Sequence, residues 1–469
     1  MSEAELPDID EARETGLDED DRLKPAFVRA ILDAVEAGDN EGANALVEPL
    51  HAADIADLIE IAPADMRASL AAAISERIDG DVLAEMNDWV RDALVDALNP
   101  RQLADIAGEL DTDDAVAIIE DLDEEDQRAV LRALDPDDRA AIEEALSYPE
   151  ESAGRLMQRE LIAVPEHWTV GDVLDYLRAD DQLTTDFWEI FVVDPAHRPV
   201  GTCNLSWVLR TPRVVSMTDV MKREQTLIPV DMDQEEVALR FQKYALISAA
   251  VVDPSGRLVG VVTVDDIVHI ISQEAGEDAL LMSGAGDGDI NEPIRDSYQA
   301  RVRWLIANLF TAMLASGIIA AFGGAIEQMV ALAVLMPIVA SIGGNAGTQA
   351  MAVAVRALAT NQLTKSNTLR TVRREILVAL MNGLTIAVLL GTGAALLYAS
   401  PMLGMVIASA ILLNILVAGL AGVLVPVVLE RLEQDPAVAS SVFVTMVTDS
   451  MGFLAFLGLA VLSGLVTMG

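Results

Sequence analysis

Cysteine is almost missing from this chain: Cys203 stands alone among 469 residues, which excludes an intramolecular disulfide framework. Four scattered histidines leave too few soft donors for a transition-metal centre, so hard, oxygen-ligated ions fit the composition better. Basic residues are scarce as well. Thirty-one Lys and Arg against 75 Asp and Glu give a formal charge of −44, a field that repels nucleic acid and anionic headgroups and concentrates cations. No nucleic-acid partner is expected. The opening residues, MSEAELPDIDEARETG, lack the positive and apolar regions of a secretory signal, which places the acidic part in the cytoplasm.

The acidity is confined to one part of the chain. From Trp304 onward six basic residues balance six acidic ones, so residues 1–303 carry the whole net charge. The remainder holds five hydrophobic segments, at about Trp304–Phe322, Met329–Val355, Ile376–Ala399, Met405–Leu429 and Val442–Val466. Each is long enough to cross ~30 Å of hydrocarbon at ~1.5 Å per residue. Arg301 and Arg303 precede the first, and Arg356, Lys365, Arg370, Arg373 and Arg374 separate the second from the third, so both stretches are expected in the cytoplasm. Five spans then put the C-terminus outside a multi-pass inner-membrane protein in contact with lipid.

Two features of the membrane part carry chemistry. Asp449 is the only charge in Val442–Val466, with Thr445 one turn before it and no Lys or Arg after Arg431. A carboxylate at that depth survives where it faces a pore, a cavity or a counter-ion. Pro337–Gln349 puts three glycines and two amides, Asn345 and Gln349, into the second span. Its small residues serve tight helix packing, or Gly343-Gly344 open the backbone and turn oxygens toward a hydrated path.

In the acidic part, residues 1–23 offer almost nothing to bury and read as a disordered tail. From 24 to 147 a twelve-residue repeat starting at Leu98, Leu110, Leu122 and Leu134 places Asn or Asp at each helix start and apolar residues behind it. Stacked short helices would bury those faces as a superhelix. Capping accounts for many of the acids. It does not account for their number, and Asp81, Asp113 and Asp114 stand out as candidate ion ligands.

Residues 148–213 and 214–264 form a duplication: Leu156–Glu160 returns as Val220–Glu224, and Phe191–Pro195 as Ala250–Pro254, the spacing differing by an insertion near Asp180–Asp186. Each half reads as strand, helix, strand, turn, strand, helix, and resembles a tandem pair of α/β CBS domains. That resemblance implies a ligand-sensing module, with ATP or another adenine nucleotide a candidate cofactor. Asp231 and Asp233 cap its second helix or form a small oxygen cluster. Residues 265–300 follow as a connecting helix whose Glu274, Glu277 and Asp278 lie at i, i+3 and i+4, so that they repel unless a cation draws them together.

Taken in order with P-I-V-A-S-I-G-G-N-A-G-T-Q at Pro337–Gln349, R-A-L-A-T at Arg356–Thr360, and D-P-A at Asp435–Ala437, the chain resembles the MgtE family of magnesium channels and transporters. The resemblance implies a multidomain protein: an α-helical superhelical N-terminal domain, tandem CBS domains, a connecting or plug helix, and a five-helix all-α transmembrane domain spanning 301–469. It further implies a homodimer with one pore, in which Asp449, Asn345 and the backbone at Gly343, Gly344 and Ala346 hold a largely hydrated Mg2+. Regulatory Mg2+ is implied at Asp81, Asp113, Asp231, Asp233, Asp265, Glu274, Glu277, Asp278 and Asp435, closing the pore when internal magnesium is high. Ala117 and Lys243 stand where the family pattern can carry acids, so the resemblance implies altered sensitivity there. The alternatives are a broader divalent transporter for cobalt, nickel or manganese, and a membrane-anchored CBS sensor without transport. An enzyme is not expected, because an intramembrane aspartyl protease needs two carboxylates at depth and each chain offers one.

Overall fold

The computed structural model describes residues 16–467 except 96–97, 180–186, 286–287, 289, 365 and 433. Residues 1–15 of the expected tail, the insertion near Asp180–Asp186 and Lys365 lie outside the described residues. The chain divides into two compact units, 1–272 and 273–469.

The first unit opens differently from the expectation. Leu17 and Leu23 form an antiparallel bridge and are buried with Val28 and Ile31 in the helical core, so residues 16–23 belong to the fold. Asp21 turns the chain between them in the left-handed region, at φ 56°. The two leucines are the physical reason, since composition averaged over an acidic tail hides a pair of apolar residues six apart.

Short helices follow from Pro25–Glu36 to Pro136–Ala145 and share one core, whose fully buried members include Ile31, Leu58, Ile59, Leu70, Ile74, Leu83, Ile118 and Ile119. Their starts do not all work alike. Asn99 closes a capping box with Gln102, and Asp123 accepts from the Glu125 and Asp126 amides, whereas Asp111 and Asp135 accept no capping bond. At Thr112–Glu120, here α1, the cap comes from elsewhere: the Glu160 carboxylate accepts from the Thr112 amide at 3.3 Å and its hydroxyl at 2.9 Å. Arg155 pairs with Glu120 and Arg159 with Glu144, so ionic contacts fasten the helical array to the start of the α/β pair.

That pair contains two three-stranded sheets of the same design. β1 (Ala163–Pro165) pairs parallel with β2 (Glu189–Val193), which pairs antiparallel with β3 (Pro199–Asn204). β4 (Leu227–Pro229), β5 (Ser248–Val252) and β6 (Leu258–Thr263) repeat the arrangement. The duplicated motif explains how the halves lock: Gln158, ahead of β1, bridges to Val261 of the second sheet, and Lys222, ahead of β4, bridges to Thr202 of the first. Each motif therefore completes the opposite module.

Helix α2 (Val264–Ser283) runs on from β6, and the boundary between units falls inside it. Five long helices follow: α3 (Ile294–Ala321), α4 (Val330–Ala359), α5 (Thr368–Leu397), α6 (Pro401–Arg431) and α7 (Pro436–Leu462), each long and apolar enough to cross a membrane. α3 starts before the expected boundary at 301. Its first turns carry Arg295, Asp296, Arg301 and Arg303, which hydropathy excludes although they continue the helix. Within this unit the end of α2 packs on the membrane helices: Leu281 and Met282 lie against a cluster of Met351, Val355, Ala437 and Val444.

Candidate functional site

The membrane unit brings two sets of residues together. On α4, Ser341, Asn345, Thr348 and Gln349 are all exposed on the surface of the single chain, at positions i, i+4, i+7 and i+8. They occupy the middle of a thirty-residue helix, so this polar stripe lies at mid-membrane depth, where lipid cannot satisfy it. Beside it, α7 carries Asp449 halfway along its length, half-buried, and Thr445 one turn earlier, exposed. Gly347 brings the helices into contact, since a Cβ there would stand 2.7 Å from Val444 and 3.2 Å from Thr448. Neither Asp449 nor Asn345 has a hydrogen-bond or ionic partner among the described residues.

Of the backbone expected to open, α4 shows none. It is helical from Val330 to Ala359, and the Gly344 carbonyl also accepts from the Thr348 hydroxyl at 3.0 Å. Gly343 is buried against Asn414 of α6, Gly344 has open space beside it, and Ala346 packs on the membrane core. Two of the three glycines thus serve close approach rather than unwinding. In hydrocarbon each broken helical bond costs several kcal/mol, roughly, against about 1 kcal/mol for keeping a glycine helical.

At the inner ends of the membrane helices, Asp435 caps α7 by accepting from the Ala437 amide at 2.7 Å. Asp278 of α2 is half-buried near it, and its carboxyl is pushed above the usual range, first by burial and then by Asp435. This pair sets like charges against each other where the connecting helix meets the membrane bundle. Glu274 and Glu277 lie on the same stretch of α2, half-buried and exposed respectively.

The first unit holds a second acidic assembly, at the seam between α1, the α/β pair and the first turn of α2. Asp113 has its Oδ1 sealed from solvent with no hydrogen-bond donor, and its carboxyl is raised well above the ordinary value by burial, then by Asp266, Asp114 and Asp111. Asp114 is pushed up to about 7, by burial and then by Asp266, Asp111, Asp81 and Glu85. Burial also raises Asp266 to about 6; the Thr263 hydroxyl it accepts at 2.5 Å opposes this, and Asp265 and Asp111 add to it. Asp111 is raised by burial and by Glu160, Asp265 and Asp81. Asp81, Asp113 and Asp265, widely separated in sequence, therefore act on one locus. Asp111, Asp266 and Glu160 belong with them although sequence reasoning passed them over; only the paired acids Asp265-Asp266 that open α2 were a signal in the sequence.

Asp231 and Asp233 are not among the charges acting on this locus. Both are exposed, and Asp233 caps the helix Gln234–Tyr244 by accepting from the Glu235 amide at 2.9 Å. Among the described residues no three His, Cys, Asp or Glu side chains stand close enough to hold a metal ion between them.

Comparison with known proteins decides the family. Residues 336–459 match MgtE, described as a divalent cation transporter, 50–151 match the MgtE intracellular N domain, and 217–273 match a CBS domain. The magnesium transporter MgtE of Thermus thermophilus is 34% identical over 67% of this chain and 70% of that protein. The chain belongs to the MgtE family. The Bacillus subtilis magnesium transporter MgtE is 29% identical over 88% of this chain and 92% of its own length. A solved cytosolic domain of the Mg2+ channel MgtE in complex with ATP is 28% identical, covers 52% of this chain and 99% of that one, and has a TM-score of 0.47. The chain is a membrane protein whose N-terminal part matches an intracellular domain, which agrees with the arginines at the start of α3 and the end of α4. Beside Ala117, Arg91 donates to the Ala117 carbonyl at 3.2 Å and pairs with Asp121 at 2.7 Å, so a fixed cation stands next to that position.

The raised carboxyls of the first unit give a testable pH dependence. Their folded values exceed the ordinary 3.8, so the folded cluster retains protons that the unfolded chain releases; stability is greatest at the acid end and falls as pH rises toward about 7. In EDTA the thermal midpoint of the cytoplasmic part, read in the full chain, should drop from about pH 5.5 to about pH 7.5. Millimolar Mg2+ should reverse most of the drop, and Asp114→Asn should flatten it. A midpoint that holds constant or climbs over that interval in EDTA contradicts the assignment.

Proposed function

We propose that this chain mediates Mg2+ uptake through a pore formed by two copies and closed by internal Mg2+. The observation that carries the reading is the exposed polar stripe of α4 with the half-buried, unpartnered Asp449 on the neighbouring α7, both at mid-depth. Lipid against that surface would leave amides, hydroxyls and a carboxylate unsatisfied. A second copy related by a two-fold axis would place stripe against stripe and enclose water.

Magnesium dehydrates reluctantly and keeps octahedral water. A path lined by Asp449, Asn345, Thr348 and Gln349 would hold the hydrated ion by accepting from its waters, with Gly344 giving room and no backbone ligand required. The two Asp449 carboxylates supply the charge that favours a divalent over a monovalent cation. Five spans, with a cytoplasmic N-terminal domain, put the C-terminus outside.

Gating follows from two acid sets that α2 joins covalently. The cluster at Asp81, Asp111, Asp113, Asp114, Asp265 and Asp266 and the group at Glu274, Glu277, Asp278 and Asp435 each gather like charge, which a divalent ion offsets. With magnesium bound, α2 is held and its Leu281–Met282 end stays against α4 and α7. With magnesium withdrawn, the carboxylates repel and release it.

Two outcomes separate pore from sensor. Asp449→Asn in proteoliposomes should reduce Mg2+ uptake at least about a hundredfold with the assembled protein intact; undiminished uptake removes Asp449 from the path. Neutralising Glu274, Glu277 and Asp278 together should leave uptake running at high internal Mg2+, and inhibition unchanged from the wild type contradicts the sensor role of α2.

A further inference from the structure

Midway along α6 a single amide, Asn414, is 1% exposed in a helix otherwise apolar except for Ser409 and the terminal Glu430-Arg431. Its Nδ2 donates to the Val339 carbonyl of α4 at 3.0 Å, and its Oδ1 meets no donor among the described residues. A leucine would fill similar volume at lower cost, so packing alone is a poor reason for an amide here.

The surroundings of the amide supply a better one. A Cβ on Gly343 of α4 would stand 2.0 Å from Nδ2, and a Cβ on Gly452 of α7 would stand 2.6 Å from it. Asn414 is therefore wedged between the bare backbones of two other helices. Gly343 lies two residues before Asn345, and Gly452 three after Asp449. The two helices that carry the polar surface are thus both held by one buried group, within a turn of the residues that face the path.

We propose that Asn414 is a positioning residue: its amide sets the spacing of α4 against α7 at the depth of Asp449, and with it the size of hydrated cation admitted. The hydrogen bond to Val339 fixes the wedge on α4, and its contact with Gly452 transmits the spacing to α7. This rests on the proposed path beside Asp449.

The test is the ratio of Mg2+ to Ca2+ uptake by purified full-length protein in liposomes. Gly452→Ala drives a methyl into the amide, and Asn414→Ala leaves a void; each should lower the ratio about tenfold. The double variant, in which the new methyl fills vacated volume, should recover most of it. Single variants that slow both ions equally, or a double variant whose losses add, overturn the proposal by reducing Asn414 to ordinary packing. If Asn414→Ala is not monodisperse, Gly343→Ala presses the same amide from α4, and an unaltered ratio there overturns the proposal equally. Asp449→Asn, run alongside, keeps the failures apart: full uptake refutes the path itself, whereas lost uptake with unaltered ratios elsewhere refutes Asn414 alone.

Discussion

Hydrocarbon offers no partner for a charge, and this protein keeps one carboxylate and four polar side chains at the depth where that is most costly. Asp449 finds no counter-ion among the described residues, and the α4 stripe of Ser341, Asn345, Thr348 and Gln349 opens outward from a single chain. A surface of this kind is tolerable only against water or a second protein surface that encloses water. The rest of the membrane unit is consistent with that demand. Glycines 343, 347 and 452 let α4, α6 and α7 approach closely enough to hold the polar surface rigidly, so the helices remain unbroken.

The acidic part works by the same electrostatics in water. Carboxylates from α1, from the segment ahead of β1 and from the first turn of α2 are brought to one seam, where burial and mutual repulsion raise several of them. The seam is also tied by protein alone, through Arg155–Glu120, Arg159–Glu144 and the Glu160 cap on Thr112. Arginine holds the array in place, and the acids gathered beside it leave an excess of negative charge at the seam.

Much of this was legible in the sequence because its signals are periodic or compositional. The twelve-residue repeat, the duplicated strand pattern, the five apolar runs and the lone Asp449 each report one local rule. What stayed hidden depends on distant partners. Asp111 looks like a cap and is not one, because Glu160 from beyond the helical array takes that role. Asp231 and Asp233 look like ligands or caps, and the structure shows both exposed with Asp233 capping the helix Gln234–Tyr244. Gly343 looks like a hinge and is a contact surface for Asn414, a residue that drew no notice amid an apolar run. The leucines at 17 and 23 were masked by the acids around them.

The central claim is that the α4 stripe faces water at mid-depth in the assembled protein. It is tested most directly by placing a cysteine at Asn345 in a Cys203→Ser background and measuring its reaction with a charged, membrane-impermeant thiol reagent in liposomes, against a cysteine at Leu384 on the exposed apolar face of α5. Rapid modification of Asn345→Cys, slowed by Mg2+, with Leu384→Cys inert, is the expected result. Equal inertness at both positions would contradict the account.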